Sequence, residues 1–483
     1  MPRFPHLRQD VTASLVVFLV ALPLCVGVAV ASGVPAELGL VTGIVGGLVT
    51  GLLPGSSLQV SGPAAGLTVL VFEAVDTYGL PALGVIVLAA GVLQLVMGAL
   101  RLGRWFRAIS LSVIEGMLAG IGLVLIAGQL YAAAGLEAPA TGAGKILGLP
   151  GAAMDALGST EALASLAVGT GTVVVMLLWH RVPGPAGAVP GALTAVLLAT
   201  AVTLASGLPV ATVEVRGLFD AVQPPDADAF GSVAGIGVLG TVVAFTLIAS
   251  AESLFSAAAV DRLHTGPRTR YNRELMAQGA GNTVCGILGA LPMTAVIVRS
   301  SANVRAGART KVSRVLHGVW LLLFAALLPS ALALIPLPAL AGILVHAGWK
   351  LIPLRGLAAL WRGHRGEAFI LVVTAVSIVV VNMFEGVLIG LALSVAKTAW
   401  EASQVRLEVM DRGAGPLRVH LSGNATFLRL PKILDTLESL PDDRPLELDL
   451  TGLHHLDHAC HTALEHWAER HSTPETPPVK VTP

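Results

Sequence analysis

The chain reads as long apolar runs broken by short polar joints. Apolar segments lie near 11–31, 37–53, 60–73, 81–100, 107–131, 163–179, 185–206, 233–257, 273–290, 294–304, 313–334, 338–349, 367–385 and 386–402. A helix crosses a bilayer with about 20 apolar residues, so the pattern predicts an α-helical polytopic membrane protein of fourteen segments. Segments 3 (60–73) and 10 (294–304) are too short to span as helices. After 402 the pattern changes. Leu417-Arg418-Val419-His420-Leu421 alternates as a half-buried strand does, and Pro431 to Leu440 carries an amphipathic helical pattern. Pro445 to Leu450 predicts a second strand, and Ala459 to His471 a second helix with Leu464, Trp467 and Ala468 on one face. The expected organisation is a membrane domain over 1–402, a linker over 403–415 and a small α/β domain over 416–483.

The polar joints orient the segments, because basic residues collect on the cytoplasmic side. With Arg3 and Arg8 inside, the loops after even-numbered segments are inside too. They hold Arg101, Arg104 and Arg107, then Arg181, then Arg262, Arg268, Arg270 and Arg273. Next come Arg305, Arg309, Lys311 and Arg314, and then Lys350, Arg355, Arg362 and Arg365. The opposite loops offer Lys145 and Arg216 alone. Both termini are therefore expected in the cytoplasm, with the chain in the cytoplasmic membrane. Asp10 and Pro23 suit a functional first helix rather than a cleaved signal.

Composition sharpens this picture. Charged residues make up 12% of the chain, hydrophobic ones 54%, and mean hydropathy is +0.78. Soluble domains average about 25% charged residues, so an ordinary cytosolic enzyme and a disordered chain are both excluded. Thirty basic and thirty acidic residues cancel, which argues against a nucleic-acid partner. The tail from 403 differs: 8 basic and 12 acidic residues fall there, with seven of the 13 histidines, as in a soluble unit. Cys25, Cys285 and Cys460 lie too far apart for a disulfide framework or a metal motif.

Fourteen segments divide into two halves of seven, and an odd number per half makes the halves inverted. An echo in the sequence agrees. Glu37-Leu38 opens a glycine-rich segment ending in Gly51-Leu52-Leu53-Pro54; Glu274-Leu275 opens another ending in Gly289-Ala290-Leu291-Pro292. Each precedes one of the short segments. Inverted repeats with paired broken helices point to a secondary transporter. Their N-termini carry unpaired N–H groups and the positive end of the helix dipole, and two of them facing each other would hold an anion. The first short segment is Ser61-Gly62-Pro63-Ala64-Ala65-Gly66-Leu67-Thr68, where Pro63 is expected near a helix start. The second runs Thr294 to Asn303.

Two charges stand in apolar surroundings: Glu252, in Ile248 to Leu254, and Arg299, in Ile297 to Ser301. An ionisable group inside a span costs about 2.5–3.5 kcal/mol, so function is its default explanation, against helix packing or snorkelling to an interface. A membrane carboxylate can carry a proton or ligate sodium. Ser256, one turn after Glu252, could assist with a cation. Glu73 and Asp76 are expected at the extracellular rim. No nucleophile–base pair, metal set or phosphate loop supports an enzyme, and no cofactor is expected beyond the transported anion and its coupling ion.

Several of these residues fall in a recognisable pattern. Asn272-Arg273-Glu274-Leu275, Gln278-Gly279-x-Gly281-Asn282, Arg299-Ser300-Ser301-Ala302-Asn303 and Gly307-x-Arg309-Thr310 resemble the sulfate permease (SulP) family of anion transporters. Ala21-Leu22-Pro23 and Ser61-Gly62-Pro63 support the match. The resemblance implies a core of segments 1–4 and 8–11 moving against a gate of segments 5–7 and 12–14. It places the anion among Ala64, Ala65, Val298, Arg299 and Ser300, faced by Leu24 and Val28, and gives Glu252 with Ser256 the coupling ion, H+ or Na+. It also implies a homodimer through segments 13 and 14 and the tail. The sodium-coupled bicarbonate branch carries Thr-Gly where this chain has Ala64-Ala65, and Asp where it has Glu252. That departure favours a proton.

The tail resembles a short STAS domain of that family, and of the subgroup associated with carbonic anhydrase, which favours bicarbonate. The run from His454 to His461 lacks structural zinc spacing. It is expected to be a solvated loop at a helix start, capped by Asp457. The expected activity is proton-coupled symport of sulfate or bicarbonate. Sodium symport, anion exchange, a channel, a sensor or a nucleobase transporter of the same fold stand as alternatives.

Overall fold

The computed structural model describes residues 6–108, 110–183, 189–215, 217–233, 235–411, 413, 416–441, 445–472 and 479–482. Arg3 and Arg216 of the sequence reading lie outside them. The fourteen apolar segments become α1 (Leu7–Ala31), α2 (Ala36–Val45), α3 (Thr68–Tyr78), α4 (Leu80–Ala99), α5 (Leu111–Ala133), α6 (Thr160–Leu178) and α7 (Gly191–Ser206). The second half holds α8 (Ile236–Val260), α9 (Tyr271–Ile287), α10 (Ile297–Arg305), α11 (Val312–Leu327), α12 (Leu337–Leu351), α13 (Arg365–Val380) and α14 (Met383–Ala402). Seven helices are each long and apolar enough to cross a bilayer among the described residues.

Both short segments depart from the helical expectation in the same way. Ser61–Pro63 is a strand, β1, and Met293–Ala295 is another, β2. The two pair antiparallel, with Gly62 opposite Thr294. Pro63 therefore ends a strand, where it was expected near a helix start. A Pro has no N–H to give a ladder, which suits a strand this short. The two segments thus satisfy some of their backbone groups on each other before each turns into a helix.

Glycine decides how the helices touch. A Cβ on Gly91 of α4 would strike the backbone of Thr283 in α9, and one on Gly279 of α9 would lie 2.7 Å from Leu95 N of α4. On α5, Gly116 sits under Leu371 O of α13 and Gly122 under Gly348 O of α12, with 2.5 and 2.7 Å for the absent Cβ. Apolar lipid gives helices no hydrophobic reason to associate, so close backbone approach supplies the attraction. The closest packing runs α4 with α9, α1 with α2 and α11, and α5 with α12 and α13. The α2 helix ends in a π-helical turn at Gly46–Thr50, where Gly47 rests on Gly318 of α11.

The family-pattern residues of α9 hold this assembly together. Glu274 accepts from Ser56 N and from Gln278 Nε2, both at 2.7 Å. Gln278 also donates to Ser61 Oγ at 2.7 Å. Asn282 accepts from Met293 N (2.7 Å) and donates to Met293 O (3.1 Å) and Gln94 Oε1 (2.8 Å). These three residues lie four apart, on one helix face, so α9 carries β1, β2 and α4. Asn282→Leu orphans buried groups at a cost of about 1–3 kcal/mol each. The purified protein in detergent should then melt several degrees lower, and an unchanged transition would remove Asn282 from this role.

A second compact unit begins at Leu391. Its sheet runs in the order β3 (Val405–Met410), β4 (Leu417–Ala425), β5 (Leu446–Leu456) and β6 (Lys480–Thr482). The β3–β4 pair is antiparallel, and the other pairs are parallel. Helices α15 (Leu430–Glu438) and α16 (His458–His471) cover it, burying Ile433, Leu437, Leu464 and Trp467. Residues 405–410 are a strand where a linker was expected, because Val405 and Leu407 pack against the sheet's core. His454 and His455 fall inside β5 and not in a loop, while Asp457 caps α16 by accepting from Cys460 N at 2.8 Å. Across β4 and β5, Asp449 meets His420 Nδ1 and Arg418 Nη2, each at 3.1 Å. Hydrogen bonds from Thr451, with His420 and Arg418 beside them, lower the Asp449 carboxyl to about 2.

Candidate functional site

Each strand of the crossed pair ends in a helix start. After β1, Ala64 is extended, Ala65–Leu67 makes one 3-10 turn, and α3 follows. After β2, Val296 is extended and α10 begins. Neither start has a side-chain cap. The first intrahelical bonds are Leu67 N to Ala64 O and Ser300 N to Val296 O. The amides of Ala65 and Gly66, and those of Ile297, Val298 and Arg299, therefore have no acceptor among the described residues. Two groups of free N–H, each at the positive end of a helix, lie on either side of a two-stranded sheet. This arrangement suits a small anion.

The residues singled out in the sequence divide by burial. Val298 and Ile297 are exposed at 46% and 43%, Ala65 and Leu24 are half-buried, and Ala64 and Val28 are buried. Leu24 and Val28 lie on α1, which packs against α10, β1 and α3. Ser300 is fully buried, and its hydroxyl is committed within the fold: it accepts from Val60 N at 2.9 Å and donates to Val296 O at 2.7 Å. It positions the start of α10 and has no donor left to offer.

Arg299 points inward, away from the exposed Val298. It is 1% exposed, and Nη2 donates to Pro63 O at 3.2 Å. Nη1 lies against Gly62, where a Cβ would collide with it; only glycine leaves room for the guanidinium. Its Nε and Nη1 have no N or O hydrogen-bond partner among the described residues, and the buried Cys25 thiol stands beside the guanidinium. Arg299 therefore sits behind the sheet as a buried positive charge that acts on the site through its field.

Glu252 comes to the same place from α8. A Cβ on Gly66 would lie 2.7 Å from its Oε1 and 2.9 Å from its Oε2, so the carboxylate rests on the first turn leading into α3. Its buried Oε2 stands beside the Thr294 hydroxyl, and neither has another hydrogen-bond partner among the described residues. Ser256 is buried one turn further along α8. The sequence reading did not single out Thr294 as a ligand, because its position in a strand opposite Gly62 was not visible there.

A second buried guanidinium, Arg314 of α11, had been counted among the basic loop residues. It donates to the carbonyls of Gly51, Thr50 and Leu53, at 3.0, 3.1 and 2.9 Å, and to Gln59 O at 3.3 Å. Thr50, Gly51 and Leu53 lie where the α2 segment ends, so Arg314 ties down that helix end and is structural. Asp10 has a parallel task, accepting from Arg309 N, Thr310 N and Thr310 Oγ1 at 2.5–3.1 Å.

The model of the sulfate permease family matches residues 7–374. YvdB of Bacillus subtilis, named as a candidate sulfate transporter, is 29% identical over 397 residues, which is 80% of this chain and 72% of that one. The bicarbonate transporter BicA of Picosynechococcus sp. is 26% identical over 364 residues, 72% of this chain and 62% of BicA. The solved structure of the murine Slc26a9 anion transporter in the inward-facing state shares the fold. Its TM-score is 0.81 at 17% identity, over 100% of this chain and 86% of that one.

Proposed function

The chain belongs to the sulfate permease family, and we propose that it is a secondary active transporter of a small inorganic oxyanion, sulfate or bicarbonate. It is a multi-pass membrane transporter and not an enzyme; its relatives are named for sulfate and for bicarbonate. One observation carries the reading. Two uncapped helix starts, at Ala65 and Ile297, meet at a crossed strand pair, with the buried Arg299 charge behind them. Free amides can replace the water lost by an oxyanion, and they cost no reorganisation because the fold already aims them.

The α1–α4 and α8–α11 set moves as one body against α5–α7 and α12–α14, an elevator-like motion in the cytoplasmic membrane, with both termini in the cytoplasm. Glycine-to-backbone contacts within each set support this division. Glu252 couples anion uptake to a proton. Sodium is the second reading, favoured by one observation: the Glu252 carboxylate and the Thr294 hydroxyl are hard oxygen ligands side by side. A homodimer is expected.

Uptake of labelled sulfate and bicarbonate into proteoliposomes tests the assignment, first under an inward proton gradient and then under a sodium gradient. Concentrative uptake of one anion under the proton gradient is expected. Uptake under sodium alone would replace the coupling ion, and no uptake of either anion by folded, inserted protein would overturn the substrate assignment.

A further inference from the structure

On the face opposite the basic loops, a cleft of about 280 Å³ lies where α3 meets α5 and the end of α13. Glu73, Asp76 and Thr77 of α3 line one wall, and Thr141 and Asn382 the other. Lys145 comes to this boundary from the short helix Gly142–Leu147, in the hairpin between α5 and α6. Its burial is unusual for a lysine outside a span: it is 7% exposed. The ammonium stands 4.7 Å from the centroid of the Phe72 ring, where the quadrupole attracts a cation. No hydrogen bond to it is present among the described residues, and Glu73, next to Phe72, is the carboxylate within its electrostatic reach.

The two partners belong to different bodies. Tyr131 of α5 donates to Lys145 O at 3.0 Å, and a Cβ on Gly142 would lie 2.6 Å from Val379 O of α13. The hairpin is thereby fixed to α5 and α13. Phe72 and Glu73 lie on α3, one turn beyond the helix start that faces the anion, and Phe72 packs on Gly33 at the end of α1. The Lys145 contact is therefore a bridge between the two sets of helices.

We propose that Lys145 is a gate residue of the transport cycle, whose ammonium on Phe72 and Glu73 closes the cleft opposite the basic loops and is released each time the two sets move apart. This rests on the two-body motion proposed above. The bridge can be remade in every cycle because it is a single cation on a ring and a nearby carboxylate, with no hydrogen bond to break. The apolar stem of Lys145 seals the gap while the charge sets its strength.

The test places a cysteine beside the anion site by Ala65→Cys and measures its labelling by a membrane-impermeant thiol reagent from each side of oriented vesicles. The native cysteines are buried and set the background. Lys145→Met, which keeps the stem and removes the charge, should raise labelling from the face opposite the basic loops on the order of tenfold. It should lower labelling from the other face. Phe72→Leu should act in the same direction, and Lys145→Glu combined with Glu73→Lys should bring the rates back toward those of the parent, short of full recovery because the ring then faces a carboxylate. Equal rates in Lys145→Met and the parent would overturn the gate. Protection of the introduced cysteine by sulfate or bicarbonate reads the anion site separately: if neither anion protects while Lys145→Met still shifts the two rates, the site assignment fails and the gate stands.

Discussion

Glu252→Gln is expected to abolish gradient-driven anion uptake while leaving anion exchange intact. The carboxylate lies on the turn that leads into α3, with Oε2 buried beside the Thr294 hydroxyl. An ionised carboxylate there opposes an anion. At an effective dielectric constant near 20 and a separation of about 6–8 Å, the repulsion is about 2–3 kcal/mol, or roughly a 50-fold loss of affinity. A proton on Glu252 removes that repulsion, and by linkage a bound anion raises the affinity for the proton by the same factor. Anion and proton then travel together. Glutamine has the shape of the protonated acid but titrates no proton, so the anion still binds and exchanges while the gradient has nothing to act on. Two measurements in one preparation decide this: uptake driven by a proton gradient, and counterflow of labelled anion at equal pH. Driven uptake equal to that of the parent would remove Glu252 from the mechanism. Loss of both activities would make it a binding or structural residue instead.

The second large effect falls on Arg299. Arg299→Ala is expected to weaken anion binding by about 10- to 100-fold, which corresponds to about 1.4–2.8 kcal/mol. The guanidinium is buried, makes one hydrogen bond to Pro63 O, and has two nitrogens without an N or O partner among the described residues. A buried charge so poorly compensated is costly unless a counter-charge arrives nearby, and the transported anion supplies it. Gly62→Ala gives a test that leaves the charge in place. A methyl at that position collides with Nη1, so the guanidinium must shift and binding should weaken, by less than in Arg299→Ala. Calorimetry or an anion-dependent thermal shift on the detergent-purified variants measures both. Binding equal to that of the parent in Arg299→Ala, with the protein folded, would sink the role.

Much of this was readable because membrane helices announce themselves. Apolar length located fourteen segments, and the structure has a helix for each. The echo of Glu37 and Glu274 marked the repeat. In the structure each of these carboxylates opens the corresponding helix and accepts a distant backbone N–H, Glu37 from Gly217 and Glu274 from Ser56. Other features were misread for identifiable reasons. The strands that open the two short segments were missed, because a three-residue strand has no periodicity of its own; β1 exists only because β2 pairs with it. Ser300 was placed at the anion site by resemblance, and only the structure shows that its hydroxyl closes the start of α10. Arg314 was counted among loop cations, yet it serves carbonyls inside the fold. Lys145 looked like a stray charge in an outer loop, since a ring 73 positions earlier in the chain gives no local signal.

By itself the sequence determined the membrane class, the segment order and the two ionisable positions worth testing, because each follows from what lipid tolerates along a single stretch of chain. Tertiary structure alone decided where the charges point. Glu252 faces the helix start, Arg299 turns behind the sheet, and Lys145 bridges two bodies, because each is placed by partners far away in the chain. Gly62 and Gly66 admit the first two simply by having no side chain.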